Sequence, residues 1–124
     1  MSSPAPDWLD AVVREFGRSA GLADFALNDR GAAAVAFETG AQLRFEYAFE
    51  SLVVALQVPT PPEPAALRRF LSFAQPERRP GFKLRVAYLA NQECVMLAAR
   101  LAEREVTLPV LNTIFGELWQ LSKA

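Results

Sequence analysis

Apolar positions recur along this chain with two periods, and the switches between them mark its elements. Trp8, Leu9, Val12, Val13 and Phe16 fall at i, i+1, i+4, i+5 and i+8, one stripe of a helical repeat, so a helix is predicted from about Pro6 to Ala20. Pro4 and Pro6 suit a first turn, where no amide hydrogen is needed. Asp7 and Asp10 lie where the helix dipole favours a carboxylate, and Gly21 suits the left-handed residue that closes a helix.

The period then shortens to two. A β region is expected from Phe25-Ala26-Leu27 through the turn signal Asn28-Asp29-Arg30-Gly31. Ala33, Val35 and Phe37 alternate with small residues, and Gly40 marks the next turn. Leu43, Phe45 and Tyr47 alternate with Arg44 and Glu46, a half-buried antiparallel strand. Ser51 to Val58 is apolar on both faces, which fits either a central strand or an exposed sticky one.

After the proline-rich run Pro59-Thr60-Pro61-Pro62-Glu63-Pro64, a second helix is predicted from about Glu63 to Gln75, with Leu67, Phe70, Leu71 and Ala74 as its stripe and Phe73 beside it. Thr60 and Glu63 have capping-box spacing, and Glu63 is the alternative start. Two further strands follow, Phe82 to Leu89 and Cys94 to Leu101, turned at Asn91-Gln92. A last helix spans about Leu108 to Ser122, with Thr107 as its cap and Leu111, Ile114, Phe115, Leu118 and Trp119 on one face. The order α-β-β-β-α-β-β-α, with short turns between strands, predicts an α+β fold: a five-stranded antiparallel sheet with three helices, in one domain spanning residues 1–124.

Composition narrows the chemistry. The 124 residues carry 13 basic and 14 acidic side chains, which argues against binding nucleic acid or an anionic membrane by charge. There is no histidine, so the triads and metal sites that need one are excluded. The single cysteine, Cys94, has no intrachain disulfide partner and reads as a packing residue. Glu38, Glu46 and Glu50 read as surface charges on alternating strands, and Arg68, Arg69, Arg78 and Arg79 as a solvated face. The start of the chain lacks the charged and apolar regions of a secretory signal, and no apolar run is long enough to span a membrane, so a cytoplasmic protein is expected. No phosphate cradle, metal cluster or cofactor motif is present in the sequence, and no enzymatic activity is expected. Nine Phe and two Trp exceed what one small core hides, which points to a dimer interface, a partner groove or both.

Several short motifs then carry a resemblance in their order. Phe16-Gly17 and Gly21-Leu22 close the first helix; Leu27-Asn28-Asp29-Arg30-Gly31 makes a turn; Val35-Ala36-Phe37-Glu38 ends a strand on an acid. A Leu-rich strand, Leu52-Val53-Val54-Ala55-Leu56-Gln57-Val58, runs into Pro59, and the helix from Leu108 carries a late Trp119. With the small size and a pI near 5.5, this pattern resembles the class I type III secretion chaperones of the Tir-chaperone type along nearly the whole chain. The proline-rich segment departs from it, since many relatives carry a glycine there.

The resemblance implies a small cytoplasmic bacterial homodimer without catalytic activity or cofactor. Such a protein holds the N-terminal segment of a secreted effector in extended form before export. An extended segment gains backbone hydrogen bonds from a sheet edge and specificity from side-chain pockets. The implied effector surface comprises Trp8, Val12 and Phe16 on the first helix and Val35, Phe37, Leu43, Phe45 and Leu56 on the strands, with alternation assigning some of these to the core. The implied dimer contact comprises Leu67, Phe70, Leu71, Phe73, Phe82, Leu84 and Val86. Two other readings are a chaperone-like regulator that exchanges a secreted protein for a transcription-control protein, and a small-ligand binding α+β module.

Overall fold

In the computed structural model, residues 4–72 and 83–123 are described. Helix α1 (Asp7–Ser19) is followed by strands β1 (Ala32–Ala36), β2 (Gln42–Ala48) and β3 (Ser51–Pro59), helix α2 (Pro64–Ser72), strands β4 (Leu84–Leu89) and β5 (Cys94–Ala102), and helix α3 (Leu108–Lys123). The strands form one antiparallel sheet in the order β1-β2-β3-β5-β4. β3 is therefore the middle strand, the first of the two readings its double-sided apolarity allowed. Leu43, Phe45, Leu52, Val54, Leu56 and Leu97 are fully buried on one face of the sheet, against Leu9, Val13 and Phe16 of α1 and Leu111, Ile114 and Leu118 of α3.

The end of α1 shows how locally this fold is written. The Leu22 N–H reaches back to the Gly17 carbonyl (2.7 Å) and the Gly21 N–H to Arg18 (3.2 Å), with Gly21 at φ +75°. A Cβ on Gly17 would lie 2.8 Å from the Phe25 Cβ, so this glycine lets the following loop fold back onto the helix.

That loop corrects one expectation. Phe25 and Leu27 are buried, but they are not in a strand. Side chains satisfy their stretch of backbone in place of a ladder. The Leu27 N–H donates to Asp10 Oδ1 (3.1 Å), and Asn28 Oδ1 accepts from the N–H groups of Arg30 (2.9 Å) and Ala32 (3.0 Å). A second correction concerns Thr60. It is buried, its hydroxyl donates to the Val58 carbonyl (2.9 Å), and its N–H donates to Glu93 (2.9 Å), so it does not cap α2. The Glu63 carbonyl accepts the first helical bond, from Leu67, and Pro64 takes the first position, where its missing N–H costs nothing. At α3 the expected cap is present: Thr107 Oγ1 accepts from the Val110 N–H (3.3 Å). The predicted end of the second helix, the loop Gln75–Gly81 with Arg78 and Arg79, and both Phe73 and Phe82 lie outside the described residues.

The β2–β3 hairpin turns through two residues, Phe49 (φ +53°) and Glu50 (φ +59°), both left-handed. Such a turn favours Asn-Gly, and a bulky residue in this region costs roughly 1–2 kcal/mol. Phe49 is 91% exposed and gains little burial in return. Replacing Phe49-Glu50 with Asn-Gly should raise the unfolding free energy by about 1 kcal/mol, read from the midpoint of urea denaturation at unchanged m-value.

Candidate functional site

The interior holds a run of touching aromatic rings that continues to the surface. Phe25, Phe16 and Phe45 sit in the core with ring centroids 5.0–6.0 Å apart. Phe16 meets Phe115 edge-on at 5.7 Å, Phe115 lies 5.8 Å from Trp119, and Phe37 contacts both, at 6.2 and 5.1 Å. The last three are only partly buried. The Lys123 ammonium stands 5.2 Å from the centre of the Trp119 ring. The outer end of this run is thus an apolar strip where the end of β1 meets α3.

Among the described residues, β1 is an edge strand. The Phe37 N–H donates to Ala41 (2.8 Å), and Val35 and Ala33 pair with Leu43 and Phe45. The alternation of an antiparallel ladder then points the N–H and C=O groups of Ala34 and Ala36 away from β2, toward the open side. The Ala32 groups on that side are taken by Asn28. Edge strands are commonly guarded by a charge, a proline or a bulge. The sequence of β1, Ala-Ala-Ala-Val-Ala, has no such guard.

The structure sorts the sequence-derived surface. Phe16, Leu43, Phe45 and Leu56 have no exposed surface and are core residues of this chain. Trp8 is 47% exposed, and Val12, one turn further along α1, is partly buried against the core. Val35 and Phe37 are partly buried on the helix-covered face of β1. Phe115 and Trp119 are absent from the sequence-derived surface, although their one-turn spacing beside the Leu111, Ile114 and Leu118 stripe signals an aromatic flank. The backbone of Ala34 and Ala36 is absent from it too, and its signal in the sequence is the missing guard.

A second surface lies at the opposite edge. Phe70 and Leu84 are buried, Leu67 and Val86 are partly buried, and Leu71 is 53% exposed. α2 packs against β4, whose other side is unpaired among the described residues.

Cys94 is buried, and burial pushes its thiol pKa up. The Tyr47 hydroxyl donates to the Glu103 carboxylate, and this bond, with desolvation and the negative charge, pushes the phenol up to about 12. Because the folded value is raised, the contribution of this bond to stability is complete below about pH 10 and is lost as pH rises toward 12. The bond ties β2 to the 3-10 turn Glu103–Glu105 that leads into α3.

Residues 8–124 match the model of the family described as Type III secretory system chaperone SycN. The chain belongs to this family. The fold agrees with that membership. A chain of the ExsC–ExsE complex aligns with a TM-score of 0.76 at 20% identity, covering 98% of this chaperone and 92% of its own length. A chain of the HopA1–SchA chaperone–effector complex gives 0.71 at 15% identity, covering 97% and 96%. A chain of the Yersinia pestis secretion chaperone SycH in complex with a fragment of YscM2 gives 0.69 at 16% identity, covering 92% and 96%. No curated protein sequence matches the chaperone. Among its described residues, no helix is long and apolar enough to cross a membrane.

Proposed function

We propose that this chaperone works in the bacterial cytoplasm as a homodimer and holds the N-terminal segment of a secreted effector in extended form, keeping it soluble and competent for export. The observation that carries this reading is the unguarded β1 edge beside a partly buried apolar strip. An extended chain laid along β1 finds donors and acceptors at Ala34 and Ala36. Its alternate side chains reach Val35, Phe37 and Trp119, with Val12 and Trp8 extending the surface along α1. Each well-buried aliphatic anchor contributes roughly 1.5–3 kcal/mol. Ordering the segment costs about 2–5 kcal/mol, so several anchors are required. Family membership points to a non-enzymatic role.

The test is to purify the tagged chaperone from a secreting strain and digest the complex with protease. A protected fragment from the N-terminal part of a secreted protein is expected, and Phe37→Ser should lose it. Protection of a folded or C-terminal region would overturn the reading, and recovery of a transcription-control protein would favour the regulator.

The same proposal places the dimer contact at α2 and β4, as an isologous two-fold pairing through Leu67, Leu71 and Val86. Light scattering should give twice the 13.7 kDa chain mass. Leu71→Glu should shift the protein toward monomer at micromolar concentration, and an unchanged mass would move the contact elsewhere.

A further inference from the structure

Trp8, Leu71 and Phe49 are large apolar side chains that stand exposed among the described residues. Trp8 belongs to the effector surface proposed above and Leu71 to the dimer contact. Phe49 belongs to neither. It is 91% exposed at the tip of the β2–β3 hairpin, in a turn where it and Glu50 are both left-handed. Asn-Gly would make the same turn without that strain. A residue that breaks a local rule with no return inside its own chain marks a place where function is to be sought. The tip is held in place, since the Glu103 N–H donates to the Glu50 carbonyl (2.9 Å). The Glu50 carboxylate has no cation within salt-bridge distance among the described residues. The tip thus presents an aromatic ring beside an acid that no cation neutralises.

The complement lies on the same chain. A hollow of about 480 Å³, lined by Leu101, Pro109, Val110 and Ile114, opens beside β5 and the start of α3. Lys83 and Arg100 stand exposed at its rim, and neither has a carboxylate within salt-bridge distance among the described residues. Glu105, the acid among the lining residues, is engaged by the Ala102 N–H (2.9 Å). The hollow has room for an aromatic ring, and its rim carries the charge opposite to that of Glu50. Phe49 does not fill the hollow of its own chain, being almost fully exposed. Tip and hollow nevertheless share one end of the sheet, where Ser51 pairs with Ala102 and Val53 with Arg100. Two copies related by a two-fold axis at this end can therefore exchange tips, each entering the other's hollow. We propose that a second copy of this chain occupies the hollow, with its Phe49 ring against Pro109 and Val110 and its Glu50 carboxylate between Lys83 and Arg100. This contact is separate from the effector surface and from the α2–β4 pairing. Each aromatic tip buries on the order of 150–250 Å², far less than the roughly 1,200–2,000 Å² of a stable interface, so the contact forms at high concentration and there joins dimers already made through α2 and β4.

The test is sedimentation velocity of the full chain from micromolar to near-millimolar concentration. The wild-type mass should rise with concentration, and the rise should shrink as salt is added. Phe49→Asn/Glu50→Gly should keep its low-concentration mass throughout while melting no lower than wild type, which separates loss of the contact from loss of the fold. Lys83→Glu/Arg100→Glu should also lose the rise, and adding Glu50→Arg to that variant should bring it back. A wild-type mass that does not change with concentration, a rise that survives Phe49→Asn/Glu50→Gly, or an exchange of charges that fails to restore the rise would overturn the proposal. Each variant is compared with its own mass at low concentration, so the outcome of Leu71→Glu at the α2–β4 contact does not enter.

Discussion

Phe16→Ala is expected to lower the unfolding free energy by about 3–5 kcal/mol. Phe16 has no exposed surface and its ring contacts those of Phe25, Phe45 and Phe115, so one truncation opens a cavity shared by α1, the following loop, β2 and α3. Natural domains have a margin of only about 5–15 kcal/mol, so this variant should melt roughly 10–20 °C lower or fail to accumulate. Loss of effector binding in this variant would follow from loss of the fold. Phe37→Ala is the counterpart. Phe37 is only partly buried and touches Phe115 and Trp119, so it should melt much closer to wild type. Thermal denaturation of the two variants side by side checks the division between core and surface. Equal losses at both positions would place Phe37 in the core.

The second large effect is expected at β1. Ala34→Pro and Ala36→Pro each remove an N–H that points to the open side of the sheet, so no ladder bond to β2 is lost. Either change removes a donor that an added strand requires and places a proline ring against it. Effector affinity should fall at least about tenfold, near 1.4 kcal/mol, while the melting temperature stays close to wild type. Val35→Pro is the control. Its N–H pairs with Leu43, so it should lose stability as well as binding. Isothermal titration with the effector segment, scored beside melting, separates the outcomes. Wild-type affinity in both alanine variants would exclude strand addition at β1 and leave the side-chain strip as the contact.

The strip also joins two surfaces that look independent along the chain. Phe37 follows the first strand and Trp119 lies one turn before the end of the last helix, 82 positions later by their numbers, yet their rings are 5.1 Å apart. A partner seated on the first helix and first strand therefore also meets α3. A binding loss at Trp119 is expected together with one at Phe37, and the two do not mark opposite sides of the molecule.

The sequence by itself determined the order of elements, because each is specified by local physics. The helical stripe of Leu9, Val13 and Phe16, the turn at Gly21, the two-residue alternation of Leu43, Phe45 and Tyr47, and the cap at Thr107 act over a few residues and stand where the pattern puts them. The tertiary structure decided what the pattern left open. Ser51–Pro59 became the middle strand because β5 pairs with it across more than 30 intervening positions, a choice its own double-sided apolarity does not contain. Phe25 and Leu27 stayed out of the sheet because Asp10 and Asn28 satisfied the backbone there. Division of the eight apolar candidates into core and surface also needed the fold. Phe16 and Trp8 occupy the same helix and are equally apolar in sequence, and only the packing of α1 against β2 and α3 buries one and leaves the other half exposed. The open edge at Ala34 and Ala36 is a property of strand order, since a backbone donor has no residue type to betray it, and an edge exists only where the sheet has no further strand.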